Sequence, residues 1–304
     1  MHRSASFATA LVAGIVCVLV AVLVVAFAFS SSTKTVIPSA QHKQPQSSPS
    51  KASHQKRTVT QRNTKTLPKY LVDAVAETVP HTPEQHHDAL YAAANRLARI
   101  HKTPLVHGSW HDELKEQLLG MMFVADDDVV VEIGANIGRN TCALAARLKG
   151  SGYRMLSFET INENERALRE NLAAIKAQER VSFVFAALSS RRLCQIHWDT
   201  FPCPDGAPSD AVEVATIDWK RARTQLGDQH PTAIVADCEG AMLPILKDFP
   251  DMLEGIHTIV MENDFFRGGE EEFRKLLQER GYRSIVQWPL NNDHPRFYEA
   301  WKLI

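Results

Sequence analysis

Residues 129–138 read V-V-V-E-I-G-A-N-I-G. The apolar run predicts a strand buried within a parallel sheet, and the glycines after it predict a tight turn into a helix. Glycine lets a ligand approach the backbone of such a turn closely, and the first N–H groups of the following helix are free to bind it. The stretch therefore predicts an α/β fold with a nucleotide-type site at the end of this strand.

The spacing of the glycines narrows the class of ligand. A dinucleotide site requires the pattern G-x-G-x-x-G, whereas Gly134 and Gly138 are separated by three other residues and the motif has no third glycine. Glu159 follows 21 residues after Gly138, at the end of the second predicted strand, where a carboxylate can accept hydrogen bonds from ribose hydroxyls. We therefore expect a nucleoside ligand and not the cofactor of a dehydrogenase.

Strand-like and helix-like segments alternate through the rest of the chain. Short apolar runs predict strands, and amphipathic segments between them predict helices. The predicted strands are 153–158, 181–186, 233–237, 256–262, 282–288 and 297–303, and the predicted helices include 140–148 and 164–176. The alternation predicts a parallel sheet that is covered by helices on both faces.

Five stretches carry a more specific resemblance. They are V-E-I-G-A-N-I-G at 131–138, S-F-E-T-I-N-E-N at 157–164, A-A-L-S at 186–189, A-T-I-D at 215–218 and D-C-E-G-A at 237–241. Through them the chain resembles the FkbM family of O-methyltransferases. For residues 123–304 the resemblance implies a Rossmann-like class I methyltransferase fold, with a mainly parallel seven-stranded sheet that ends in a C-terminal antiparallel hairpin.

The same resemblance implies S-adenosyl-L-methionine as the cofactor and assigns residues to its parts. The residues that would hold the cofactor are Glu132, Gly134, Asn136 and Gly138 at the methionine part, Glu159 at the ribose, and Ala187, Leu188 and Ser189 at the adenine. Asp237 and Glu239 would face the acceptor near the sulfonium. No metal is expected in this assignment.

The expected chemistry is methyl transfer to a hydroxyl oxygen. An in-line displacement requires an aligned nucleophile and exclusion of water, and the hydroxyl must also lose its proton to a nearby base. Asp237 is the first candidate for that base and Glu239 is the second. The leading expectation is a membrane-anchored, S-adenosylmethionine-dependent O-methyltransferase with a sugar or glycan as the candidate acceptor.

Two other interpretations remain open at this stage. Asp237, Glu262 and Asn263 offer three oxygen ligands of the kind that a magnesium-dependent catechol-type O-methyltransferase uses. Val235 and Met242 stand where the resemblance leads us to expect a lysine and a second glutamate. These two differences would also suit a catalytically degenerate binding or scaffold protein.

The N-terminal third has a different character from the rest. After a short tail (1–6), residues 7–29 form an uncharged apolar run, long enough for a transmembrane signal-anchor helix. The Ser/Thr/Pro/Gln-rich residues 30–66 predict a disordered basic stem, and residues 67–122 predict a helical extension. The arrangement resembles single-pass type II enzymes of the secretory pathway. That topology would place the catalytic domain in an ER or Golgi lumen, where Cys194 and Cys203 could form a disulfide.

The charge of the chain is unevenly distributed. Residues 1–66 carry eight basic residues and no acidic residue, so the remainder carries −9 out of a whole-chain charge of −1. An acidic catalytic region argues against a nucleic-acid partner, because such binding depends on basic surface. The absence of an N/D-P-P-Y-type motif also disfavours methylation of a nucleic-acid amino group.

Overall fold

The structure, a computed structural model, describes residues 66–204, 208–266 and 268–304. The predicted tail, the predicted anchor at 7–29 and the stem up to residue 65 lie outside the described residues. Within the described residues, every helix is too short or too polar to cross a bilayer. The anchor, the stem and the lumenal location therefore stay predictions.

The described residues alternate between helices and strands. The α-helices are α1 (Lys69–Thr78), α2 (His87–Ile100), α3 (Leu114–Phe123), α4 (Arg139–Arg147), α5 (Asn164–Ala174), α6 (Trp219–Arg223), α7 (Met242–Asp248) and α8 (Glu270–Glu279). The strands are β1 (Val130–Ile133), β2 (Met155–Phe158), β3 (Val181–Val184), β4 (Ala187–Leu188), β5 (Leu193–Ile196), β6 (Asp199–Pro202), β7 (Val212–Val214), β8 (Thr216–Ile217), β9 (Ala233–Ala236), β10 (Thr258–Glu262), β11 (Tyr282–Trp288) and β12 (Tyr298–Leu303). Short 3₁₀ segments lie at Val79–His81, Glu84–His86, Gln178–Arg180, Thr224–Leu226 and Pro250–Leu253.

Seven strands form the main sheet in the order β11-β12-β10-β9-β1-β2-β3. The neighbours from β10 to β3 pair in parallel, whereas β12 pairs antiparallel with both β10 and β11. This arrangement confirms the predicted mainly parallel seven-stranded sheet and its C-terminal antiparallel hairpin. Because β1 lies next to β9 and β2, the turns after these three strands meet at one edge of the sheet.

Burial on both faces explains the apolar run in β1. Val130 packs into one hydrophobic cluster, together with leucines of α2 and α3, and is fully buried. Val131 and Ile133 pack into a second cluster on the opposite face, with residues of α6 and α7. Neither face meets solvent, so an alternating polar pattern would be unfavourable in this strand.

A small β-insertion between β3 and β9 was not predicted. In it β4 pairs with β8, and β5 pairs antiparallel with both β6 and β7. A disulfide joins Cys194 in β5 to Cys203 just after β6, with 4.9 Å between the Cα atoms. Closing a loop of this length is expected to stabilise the fold by about 2–3 kcal/mol, because it restricts the unfolded chain. The sequence had left this pairing conditional on a lumenal location.

Candidate active site

A cavity of about 390 Å³ lies at the carboxyl ends of β1, β2 and β9. Its walls come from the turns after these strands, from the β-insertion and from the residues that follow β10. This volume is in the range that small-molecule ligands and cofactors occupy, and the edge of the sheet is where ligands bind in open α/β folds. The cavity is therefore the candidate active site.

The turn after β1 requires glycine at position 134. Gly134 has φ of +90°, and a Cβ added to it would lie 1.6 Å from the carbonyl oxygen of Asp237. The N–H groups of Gly134 and Ala135 both donate to the carbonyl oxygen of Phe158, at 3.0 and 2.9 Å. The turn is thus held between the ends of β2 and β9, and only a residue without a side chain can occupy it.

Glu159 is fixed at the cavity wall by backbone donors. Its carboxylate accepts hydrogen bonds from the N–H groups of Asn136, at 2.5 Å, and Ile161, at 2.7 Å. Burial raises the pKa of Glu159, and these backbone hydrogen bonds act in the opposite direction. A carboxylate can accept about four hydrogen bonds, so oxygen lone pairs remain for hydroxyl groups of a ligand.

The structure brings together most of the residues that the sequence singled out. Those that line the cavity are Gly134, Asn136, Glu159, Ala187, Leu188, Ser189, Asp237 and Glu239. The structure does not place Glu132 or Gly138 in the cavity wall. Glu132 is buried on the far side of the turn, where Thr141 donates to its carboxylate at 2.7 Å and burial raises its pKa to about 7. Gly138 has φ of +87° and lies against Leu168.

Other lining residues were missed by the sequence reasoning. The hairpin of β5 and β6 carries Trp198 at its tip, and that side chain is 64% exposed beside the cavity. After β10, Asp264 and Phe265 line the cavity, whereas Asn263 directs its amide to Glu299 at 3.0 Å. No periodic pattern in the sequence marks this hairpin, so the sequence carried no signal that Trp198 lies beside the cavity.

Carboxylates are concentrated where β9 and β10 end. Asp237, Glu239 and Asp264 each place a carboxylate oxygen within 4.8 Å of the others, and Asp237 belongs to a second such group with Glu116 and Glu262. Nearby cationic residues of the described chain form ion pairs with other acids, as Arg139 does with Glu113 and Arg274 does with Glu299. None of these ion pairs includes one of the five carboxylates. The site therefore gathers carboxyl groups that no cationic side chain of the described chain pairs with.

This environment favours the protonated form of these acids. Burial, together with the charges of neighbouring carboxylates, raises the pKa of Asp237 to about 8. The same two causes raise the pKa of Glu262 to about 9. Burial also raises the pKa of Asp264, to about 6, although a hydrogen bond from the N–H of Gly240 opposes this rise. Perturbed acids of this kind, gathered in a cavity, are typical of functional sites.

The chain is similar to one protein family and to several solved structures. Residues 132–284, half of the chain, match the family model described as the methyltransferase FkbM domain. No functionally curated protein matches the chain. Among solved structures, the methyltransferase FkbM from Methylobacillus flagellatus KT is 14% identical with a TM-score of 0.45, and the match covers 77% of this chain and 58% of that one.

Two further structures that are similar to this chain contain a bound ligand. An O-methyltransferase from Bacillus cereus in complex with SAH is 15% identical, with a TM-score of 0.42, over 71% of this chain and 91% of that chain. A putative tRNA (m1A22) methyltransferase from Streptococcus pneumoniae, in complex with S-adenosyl-L-methionine, is 13% identical, with a TM-score of 0.41. That match covers 63% of this chain and 72% of the other.

Proposed function

Because the chain belongs to the FkbM methyltransferase family, we propose that it transfers a methyl group from S-adenosylmethionine to a hydroxyl oxygen. The observation that carries the proposal is the convergence of the Gly134 turn, Glu159 and Asp237 on one cavity. S-adenosylmethionine supplies a methyl group on a cationic sulfur, so an oxygen–carbon bond forms as the carbon–sulfur bond breaks and the sulfur keeps its electron pair. The carboxyl groups of the cavity wall favour a cationic ligand, and a bound cation in turn favours their ionised form.

The cavity has suitable groups for each part of this cofactor. Glu159 would accept hydrogen bonds from the ribose hydroxyls, since backbone donors already fix the orientation of its carboxylate. The turn at Gly134 leaves its backbone open to the methionine part, and Ala187, Leu188 and Ser189 would border the adenine. Glu132 has a different role in this proposal: through Thr141 it ties α4 to β1 behind the turn.

Asp237 is the proposed base for the acceptor hydroxyl. It lines the cavity at the end of β9, and a base whose pKa lies near the working pH is efficient in proton transfer. Glu239 is the second candidate; its side chain is exposed, and burial and the charge of Asp199 raise its pKa. The proton of the hydroxyl would pass to one of these carboxylates as the new bond forms.

A recess beside the cavity supports a sugar or glycan as the acceptor. Its lining includes Trp198 and Phe266, each 64% exposed, together with Glu239 and Asp264, which also line the main cavity. Aromatic rings offer apolar faces to the C–H groups of a sugar, and carboxylates accept hydrogen bonds from its hydroxyls. The acidic lining also disfavours a nucleic-acid acceptor.

The Glu159→Gln variant tests the cofactor site. One carboxylate oxygen becomes an NH₂ group facing a backbone donor, so we expect S-adenosylmethionine binding to weaken by about 1–3 kcal/mol. Titration calorimetry on the full-length chain in detergent would measure this loss. Glu163→Gln is the matched control, because Glu163 is exposed, lies outside the cavity lining and should leave the affinity unchanged. Equal affinity for both variants would contradict the ribose assignment.

A labelled-methyl transfer assay tests the reaction itself. The full-length chain would be incubated with labelled S-adenosylmethionine and separate glycan, lipid and protein extracts, and label is expected in the glycan fraction. Binding of the cofactor without transfer to any fraction would favour the degenerate binding protein. Val235 and Met242 support that second candidate, and both side chains are buried, where they pack in the core.

We also propose that residues 7–29 anchor the chain in a membrane, with the catalytic domain in a lumen of the secretory pathway. The uncharged apolar run supports the anchor, and the Cys194–Cys203 disulfide supports an oxidising compartment. The full-length chain should remain with membranes after an alkaline carbonate wash, whereas a chain lacking residues 1–29 should appear in the supernatant. Release of the full-length chain by the wash would contradict the anchor.

A further inference from the structure

Three carboxylates converge on the acceptor side of the cavity, and one of their oxygens has no partner. Asp237 and Glu239 belong to the turn after β9, and Asp264 follows β10. One oxygen of Asp264 accepts the N–H of Gly240 at 2.7 Å, but its Oδ2 is buried and makes no hydrogen bond. Asp264 is only 5% exposed, so this buried oxygen requires a partner that a bound ion or an ordered water would supply.

We propose that Asp237, Glu239 and Asp264 bind a divalent cation. Their carboxylate oxygens lie within 4.8 Å of one another. Two oxygens on opposite sides of Ca²⁺ are separated by about 4.6–5.2 Å, and on opposite sides of Mg²⁺ by about 4.2 Å. Oxygens that lie no more than 4.8 Å apart are therefore close enough for one divalent cation to contact all three carboxylates.

The second carboxylate group is a poorer candidate for the cation. Glu116 already accepts a hydrogen bond from the side chain of Asn140, and its side chain is buried in α3. Neither Glu116 nor Glu262 lines the cavity, whereas Asp237, Glu239 and Asp264 all do. A hard cation needs about six oxygen ligands, so three protein carboxylates must leave space for water or substrate. Only the group in the cavity wall has that space.

The role of the cation rests on the proposed function. A divalent cation at these carboxylates would lie beside the recess of Trp198 and Phe266, where it could bind the acceptor oxygen directly. Its positive charge would then ease the loss of the hydroxyl proton. Cation binding itself does not depend on the reaction.

Two matched acid-to-amide variants test the site. Asp264→Asn keeps an oxygen that can accept the Gly240 N–H but removes the charge from the proposed ligand. Glu262→Gln makes the same change two residues earlier, at a carboxylate of the second group that does not line the cavity. Binding of Mn²⁺ to the full-length chain would be followed by electron paramagnetic resonance, with Ca²⁺ and Mg²⁺ as competitors. Thermal melting of each variant without cation would verify that it is folded.

We expect the unmodified chain to bind one Mn²⁺ at concentrations below about 1 mM, the weak end of protein cation sites. Asp264→Asn should weaken this binding at least about tenfold, and Glu262→Gln by less than about threefold. Equal losses in the two folded variants would overturn the assignment to this group. Absence of Mn²⁺ binding while S-adenosylmethionine still binds would overturn the cation proposal alone, whereas loss of S-adenosylmethionine binding would overturn only the proposed function.

Discussion

Replacing Gly134 with alanine is expected to abolish measurable binding of S-adenosylmethionine. The added Cβ would lie 1.6 Å from the carbonyl oxygen of Asp237, which is far inside contact distance, and that oxygen belongs to the backbone. The turn after β1 would therefore have to move away from the end of β9 and displace both walls of the cavity. We expect the affinity for S-adenosylmethionine, measured by titration calorimetry, to fall at least about 100-fold, near 2.7 kcal/mol.

A second glycine variant shows whether the loss of affinity comes from the steric clash or only from placing a Cβ on a backbone with positive φ. Gly227 also has positive φ, at +64°, but no atom lies within 4 Å of a Cβ built at that position. Gly227 has φ of +64° and ψ of −128°, a conformation that residues with a Cβ rarely adopt, so Gly227→Ala should cost about 1–3 kcal/mol of folding free energy and leave cofactor affinity unchanged. If Gly134→Ala bound the cofactor as well as Gly227→Ala, the turn could not be the cradle that we describe.

The sequence predicted the central sheet because the relevant forces are local. The central strands β1, β2, β9 and β10 are short, largely apolar runs that are buried along nearly their whole length, and the turns after them carry glycine or acids. The hairpin of β11 and β12 was placed to within one residue at each end, since its strands are long and turn residues separate them. Glu159 was identified for the same reason: its distance from the glycine turn follows from the length of one helix and one strand.

The position of Glu132 could have been read from the strand itself. Successive residues of a strand point to opposite faces, and Ile133 lines the cavity. Glu132 must therefore face the other way, toward α4, where Thr141 binds it. The motif resemblance obscured this simple alternation, because it assigned a whole string of residues to one ligand.

The β-insertion could not have been derived from sequence in the same way. Its strands are two to four residues long, so they show no periodicity, and their pairing depends on contacts between distant residues. For a similar reason, the sequence could not show that Asp264 lines the cavity and Asn263 does not. The backbone leaves β10 so that the Asn263 amide points to Glu299, and Asp264, the next residue, reaches the cavity. Such turns are fixed by tertiary contacts and not by local propensity.

Asp237→Asn is expected to reduce kcat for methyl transfer by about 10²–10⁴-fold, the usual contribution of a general base. The amide is nearly the same size as the carboxylate but cannot accept the proton from the acceptor. S-adenosylmethionine affinity should change by less than about threefold, since Glu159 and the Gly134 turn carry cofactor binding in our proposal. Glu239→Gln is the matched comparison, and it should cause the smaller loss.

The dependence of methyl-transfer activity on pH distinguishes a catalytic base at Asp237 from a purely structural residue. Asp237 can accept a proton only when it is ionised, and its pKa is raised to about 8 by burial and by neighbouring acids. Activity should therefore rise with pH up to about 8 and level off above it, and Asp237→Asn should remove this dependence. Activity should be measured in buffer without divalent cations, because a bound cation would lower the pKa of Asp237. Retention of most of the activity by Asp237→Asn, with a larger loss in Glu239→Gln, would transfer the role of base to Glu239.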